Sequence, residues 1–284
     1  MDSDNDNDEE ITRSSYGRII NKPRHDDYEY KNLVNGMILT QHGLKAGLKR
    51  YGKRGEEATI KELKQMLRRE VFEEIEFSSL KPIDIRRALP ILLFLTEKRD
   101  GTIKGRACAD GRQQKIWMPK TDSASPTIAP EALFYTLVQD GRERRYVITL
   151  DLPGHFLQTT MPGMVILKIT GALVDLLIQI DAKKWTKHRR LVRGRWVIYV
   201  KCSKAIYGTI NAALLSYNKL AGHLAEWGFV VNPYEPCCWN KKENGKQITV
   251  VFHVNDMKLS HEDKIIVKKH AKKLEGVYAT KLIQ

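Results

Sequence analysis

The stretch VVFHVNDMKLS, residues 250–260, constrains the fold of this chain more than any other. Two β-forming runs flank Asn255-Asp256, a pair that tolerates the left-handed backbone of a tight turn. It reads as a hairpin, and a hairpin alone is marginal in water, so it needs further strands and a helix to cover one face.

Those neighbours are legible upstream. Residues 55–72 place Ile60, Leu63, Leu67 and Val71 on one face of an amphipathic helix. An apolar run from Ile91 to Leu95 turns at Asp100-Gly101 and returns through Ile103, a second hairpin whose tip carries Lys98, Arg99, Lys104 and Arg106. Four cations suit a polyphosphate, although charged hairpin tips are common without any ligand. Pro130 opens a helix expected to be buried through Leu133, Phe134, Leu137 and Val138 and to stop at Gly141. Tyr146 to Leu152 then read as a strand with Asp151 near its end, where a lone Asp is by itself usually a turn or cap residue.

A strand at 164–170, a helix at 171–180, the basic loop KKWTKHRRLVRGR and the strand WVIYV follow. The helix INAALLSYNKLAGHLAEWG directs Ala213, Tyr217, Leu220, Leu224 and Trp227 inward and is closed by Gly228. In one antiparallel sheet Asp151 would lie beside the turn at Asn255-Asp256.

Composition narrows the class. With 284 residues, 42% of them apolar, the chain can bury a sizeable core. The net charge is +14, yet the first ten residues hold six acids and no base, so the other 274 carry +20. Such a surface suits a polyanion, which binds by releasing counterions, or serves only solubility. No apolar run approaches the roughly 20 residues of a spanning helix, and the acidic start is unlike a signal peptide. A soluble intracellular chain is expected, cytoplasmic or else nuclear, with no membrane partner. Residues 1–30 are polar and aperiodic and are expected to be disordered. Cys108, Cys202, Cys237 and Cys238 lack the spacing of a zinc site or a disulfide framework, so core or free thiols are expected.

Five ordered segments over 87–263 resemble the reverse transcriptase of copia-type long-terminal-repeat retrotransposons. KGRACADGRQQ is similar to the family's basic fingers motif, and SPTIAPEALFYTLVQD to the segment before its first catalytic strand. LDLPGHFLQ resembles the strand bearing the first catalytic Asp, KAIYGTINAALLSY the S-L-Y-G-L-K-Q region, and HVNDMKLSHED the Y-V-D-D hairpin. The order of five motifs is far more specific than any one of them.

The resemblance implies an α+β fold: right-hand polymerase fingers and a ferredoxin-like palm with an antiparallel sheet, the thumb missing. It implies a polar tail at 1–30, an N-terminal helical region at 31–86, fingers at 87–125 and a truncated palm at 126–284. The chemistry would be two-metal nucleotidyl transfer, with three carboxylates holding two Mg²⁺ ions about 3.5–4 Å apart and Mn²⁺ as a substitute. Asp151 matches the first carboxylate, and Asn255 and Asp256 the acid pair, leaving Asp151 and Asp256 as metal ligands. Lys104 and Arg106 would meet the triphosphate, Phe156 would gate the sugar against a 2′-hydroxyl, and Tyr207, Gly208 and Asn211 would complete the nucleotide pocket. The partners implied are an RNA or DNA template-primer and deoxynucleoside triphosphates, with RNase H and integrase regions missing from this chain.

Four departures point to a decayed or truncated copy. Asn255 replaces an acid, Asn211 a Gln, and His155 a small Ala; the chain also ends 28 residues after Asp256, before the primer-gripping hairpin is complete. Two divalent ions about 4 Å apart repel by roughly 17 kcal/mol at an effective dielectric of about 20, so anionic ligands between them are required. Asn supplies an oxygen without charge. The alternative is therefore a non-catalytic nucleic-acid-binding remnant. A third reading, another phosphotransferase or nuclease built on Asp151 and Asp256, lacks the His and acid clusters that chemistry uses.

Overall fold

The computed structural model describes residues 41–119, 121, 123–278 and 281–283. The tail expected at 1–30 lies outside the described residues, as does the start of the 31–86 region.

A short strand, β1 (Gln41–Gly43), leads into α1 (Leu44–Arg68), which is interrupted at Gly52, where the backbone swings to φ 53°. Only glycine takes that conformation without penalty. The amphipathic helix read from the sequence is the latter part of α1. Leu63 and Met66 are buried, Ile60 and Leu67 pack partly against the core, and Val71 is buried three residues beyond the helix end. β2 (Phe72–Glu74), α2 (Pro82–Arg87) and the hairpin of β3 (Leu89–Glu97) with β4 (Ile103–Ala109) follow. At the hairpin turn Asp100 Oδ1 accepts from the Thr102 amide at 2.9 Å and its hydroxyl at 2.6 Å, which fixes the bend.

Next come α3 (Pro130–Arg142), β5 (Tyr146–Asp151), β6 (Ile166–Thr170), α4 (Ala172–Ile180), α5 (Ala182–Trp185), β7 (Arg190–Val192) and β8 (Arg195–Cys202). The expected basic loop at 183–195 is thus partly ordered as a helix end and a strand. The chain closes with α6 (Ala212–Glu226), β9 (Val230–Asn232), β10 (Glu235–Glu243), β11 (Lys246–His253), β12 (Asp256–His261), α7 (Lys264–Tyr278) and β13 (Lys281–Ile283).

The result is an α+β fold with two sheets. One has the order β1-β3-β6-β8-β2, with β4 on β3 and β7 on β8, and is mixed because β3 and β6 run parallel. The other, β13-β5-β12-β11-β10-β9, is antiparallel throughout. Because β6, β7 and β8 join the first sheet, the sequence boundary at 125/126 does not coincide with a boundary between sheets.

Among the described residues two large cores hold these layers, with a smaller cluster at Leu80, Ile166, Val197 and Tyr199. Leu63, Leu95, Leu167, Trp185 and Ile198 centre the first; Leu150, Leu220, Leu259, Val267 and Leu274 centre the second, where α6 and α7 pack on the antiparallel sheet. Each such side chain contributes about 1.5–3 kcal/mol by leaving water.

α3 corrects an expectation. Pro130 does open it, but Phe134, Leu137 and Val138 are 65%, 44% and 58% exposed, so the helix is not buried through that stripe. Its fully buried residue is Asp140, ion-paired with the equally buried Lys258. Of the expected stripe, Leu133 alone packs partly against the second core, and the buried charge pair anchors the end of the helix. The four cysteines are free thiols, three buried and Cys108 half-buried, as expected. Among the described residues no helix is long and apolar enough to cross a membrane.

Candidate functional site

β5 ends at Asp151 and β12 begins at Asp256, and the antiparallel register sets these two residues directly opposite each other. β12 also pairs with β11, His253 facing Asp256. The turn therefore consists of Val254-Asn255, not of the Asn255-Asp256 pair read from the sequence. Val254 carries the left-handed backbone, φ 58°, at a cost of about 1–2 kcal/mol for a residue with a Cβ. Hydrogen bonds to β5 help hold it there: the Leu152 amide donates to the Asn255 carbonyl at 2.9 Å.

Asn255 Nδ2 donates to Asp151 Oδ1 at 2.6 Å. The opposite amide orientation would set two oxygens at that distance, so the donor faces the carboxylate. One Asp151 oxygen is thereby engaged within the protein. Among the described residues no cluster of three or more His, Cys, Asp or Glu side chains is placed to hold a metal ion. Two carboxylates and a neutral amide do not fit a pair of divalent ions, whose mutual repulsion needs anionic oxygens between them.

Tyr207 and Gly208 press against the end of β4. The Ala109 amide donates to the Tyr207 carbonyl at 2.7 Å. A Cβ on Gly208 would stand 2.0 Å from the Ala109 carbonyl oxygen, and φ is 89° there, so only glycine fits. This contact ties the loop after β8 to the end of β4. The Tyr207 ring lies 4.4 Å from that of Phe156, which is buried in a short 3₁₀ turn, Phe156–Gln158. Burial raises the Tyr207 phenol above its ordinary pKa, the Arg106 charge opposes, and the Asp151, Glu62 and Asp256 charges add to the rise. One ring thus senses acids from α1, β5 and β12.

Lys104 and Arg106 are exposed on β4. Partial burial, then the Arg106 and Lys98 charges, lower the Lys104 ammonium pKa; Glu62 and Asp151 pull the other way. Lys98 and Arg99 sit at the turn, farther out. Asn211 precedes α6, half-buried, with its carbonyl accepting from the Leu215 amide and its side-chain oxygen without a partner among the described residues. His155, before Phe156, is buried; burial, reinforced by the Lys219 charge, pulls its imidazole down to about 4. It is neutral at pH 7.

Three residues shape this region that sequence reasoning missed. Glu62 of α1 accepts from the Ala107 amide at 3.1 Å; burial raises its pKa, against that bond and the Lys104, Arg106 and Arg69 charges. Arg69 donates to the carbonyls of Pro153 and Gly154 at 3.2 and 3.4 Å, tying down the loop that follows Asp151. Gln114 accepts from the Ile210 amide at 3.0 Å. Their only sequence signal is a polar residue on an otherwise solvated helix face or in a loop, which marks nothing until the tertiary fold is known.

No family model matches the chain. The chain is similar to the Transposon Ty1-DR4 Gag-Pol polyprotein of Saccharomyces cerevisiae, 23% identical over 227 residues that make up 80% of the chain. It is 24% identical over the same length to the Ty1-NL2 Gag-Pol polyprotein of that yeast. The chain spans only 12–13% of the length of the curated relatives it matches. Among solved structures, the protease-reverse transcriptase of prototype foamy virus matches 76% of this chain and 21% of its own, at 18% identity and a TM-score of 0.36. The resemblance read from five ordered motifs thus extends over 80% of the chain, which is similar to Ty1 Gag-Pol polyproteins along that length.

Proposed function

We propose that this chain is the fingers-and-palm portion of a retrotransposon RNA-directed DNA polymerase whose metal centre is impaired. The observation that carries this reading is the cross-strand pair Asp151 and Asp256, with Asn255 in the turn between the strands and bonded to Asp151. On this reading the β3–β4 hairpin belongs to the fingers and the six-stranded antiparallel sheet to the palm, within the limits 31–86, 87–125 and 126–284. Lys104 and Arg106 face the triphosphate of a deoxynucleotide, Phe156 the sugar, and Tyr207, Gly208 and Asn211 line the pocket. The template-primer lies along the basic surface. Asp151 and Asp256 would hold a divalent ion, Mg²⁺ or Mn²⁺, with Asn255 adding at most a neutral oxygen. The working compartment is inside the cell, cytoplasmic or nuclear.

The hydrogen bond from Asn255 to Asp151 favours the second reading, a non-catalytic remnant that retains only nucleic-acid binding, because it satisfies within the protein a carboxylate that a metal would otherwise neutralise. Primer extension on a template-primer with Mg²⁺ or Mn²⁺ tests both. The parent is expected at background and Asn255→Asp above it, with the gain abolished by adding Asp151→Asn. Extension by the parent that survives Asp151→Asn would remove Asp151 from the site.

A further inference from the structure

We propose that the β7–β8 ribbon is a second nucleic-acid contact, a track for single-stranded nucleic acid distinct from the cleft at Asp151; the proposal rests on the reading of this chain as a nucleic-acid-handling domain. Residues 183–195 hold seven Lys and Arg and no acid. Lys183, Lys187, Arg189, Arg190, Arg193 and Arg195 are all exposed. None of them forms an ion pair among the described residues, whereas cations elsewhere do so repeatedly: Arg54 with Glu97, Lys201 with Glu73, Lys246 with Glu262. Glu74 and Glu76 lie against the buried His188, and Asp181 caps α5. The ribbon therefore carries positive charge that the protein does not neutralise, and a phosphate chain would supply the missing charge while releasing its own counterions.

A solvated charge run explains the arginines but not what lies between them. Leu191 and Trp196 face each other across the ribbon and remain 63% and 39% exposed. The Arg189 guanidinium lies 4.5 Å from the Trp196 ring centroid. An exposed indole flanked by arginines offers a base a surface on which to stack and its phosphates a counter-charge, the combination single-strand binders use.

Topology links this ribbon to the cleft. β3 and β6 run parallel, and β8 runs back along β6 with Val197 opposite Thr170. The β7–β8 turn at Arg193-Gly194 and the β3–β4 turn at Asp100-Gly101 consequently project from the same end of one sheet. A strand leaving Lys104 and Arg106 near the tip of one hairpin can pass across that end to the other.

The test measures binding of a labelled oligothymidylate to the full chain across a salt series, together with an abasic oligomer of equal length. Arg190→Ala/Arg193→Ala/Arg195→Ala is expected to weaken both at low salt by at least about tenfold. It is also expected to reduce the slope of log affinity against log salt by about 2, roughly 0.7 for each phosphate no longer neutralised. Trp196→Ala is expected to weaken the oligothymidylate by about tenfold, as loss of one stacked base does, and to leave the abasic oligomer unchanged. Unchanged thermal melting verifies that the surface variants fold. If the parent binds the oligomer but the triple variant keeps its affinity and slope while Lys104→Ala/Arg106→Ala loses them, the ribbon is not a track and the polymerase reading stands. If the parent binds no oligomer at low salt, or binds only anionic lipid vesicles, both fall.

Discussion

Asn255 and Asp151 are joined by a 2.6 Å hydrogen bond across the ends of two strands, amide to carboxylate. The backbone sets Asp256 opposite Asp151, and a two-residue turn presents residue 255 beside them. What differs is charge. An amide in this place converts repulsion between neighbouring acids into attraction, so the hairpin closes on itself without an ion. On the proposed reading, the Asn255 amide that would weaken a metal site is also the group that ties the hairpin to Asp151.

The buried pair of Asp140 and Lys258 links α3 to the same hairpin, since Lys258 lies two residues beyond Asp256 on β12. Each side chain is under a tenth exposed. Removing one partner strands the other charge, so Asp140→Ala is expected to cost about 3–5 kcal/mol, and adding Lys258→Met should recover most of the loss. Phe134→Ser, on the exposed face of the same helix, should stay within about 0.5 kcal/mol. Urea unfolding of the four proteins decides this; equal costs for Asp140→Ala and Phe134→Ser would contradict the burial assigned to the pair.

His155 makes stability depend on pH. Its imidazole sits at about 4, below the ordinary 6.5, chiefly through burial and then through Lys219. Between those values the unfolded chain binds a proton that the folded chain refuses, so stability is lost as pH falls through that window. The loss is on the order of 3 kcal/mol by about pH 4. His270 is lowered in the same direction and contributes equally to parent and variant. His155→Phe should therefore be less sensitive than the parent when unfolding at about pH 7 is compared with unfolding at about pH 4.5. Identical pH dependence in the two would mean that His155 is accessible to protons.

Phe156 is packed at 4.4 Å against Tyr207 and 8% exposed. As a gate on the sugar, it should discriminate sterically: in an Asn255→Asp background that extends primers, Phe156→Ala is expected to accept ribonucleotides that its parent rejects. As a core ring it should only destabilise, by about 3–5 kcal/mol. Comparing incorporation of ribo- and deoxynucleotides separates the two, and unchanged discrimination assigns Phe156 to packing alone.

Much of this site was legible because it rests on local patterns. Turn residues bracketed both hairpins, period-two runs marked β5 and β12, and an antiparallel arrangement of those strands already brought Asp151 toward Asp256. Errors arose where tertiary context decided. The Phe134, Leu137 and Val138 stripe has the spacing of a buried helix face, yet the helix turns Asp140 inward because Lys258 supplies a counter-charge from a strand over a hundred residues away. The turn moved one residue because register, set by the pairing of His253 with Asp256, overrode the preference of Asn-Asp for the bend. Glu62 and Arg69 were invisible for a similar reason: their partners, the Ala107 amide and the carbonyls after Leu152, are backbone groups that no side-chain pattern encodes.

That Asn255 occupies a damaged metal site shared with Asp151 and Asp256 is tested most directly by calorimetric titration of Mg²⁺ into the parent, Asn255→Asp, and Asn255→Asp with Asp151→Asn. A carboxylate about 4 Å from a divalent ion can contribute up to roughly 8 kcal/mol at an effective dielectric of about 20, before desolvation is subtracted. The expected result is weak or undetectable binding by the parent, measurably tighter binding by Asn255→Asp, and loss of that gain when Asp151 is neutralised. Mg²⁺ affinity unchanged by restoring the acid, or a gain that survives Asp151→Asn, would contradict the shared site.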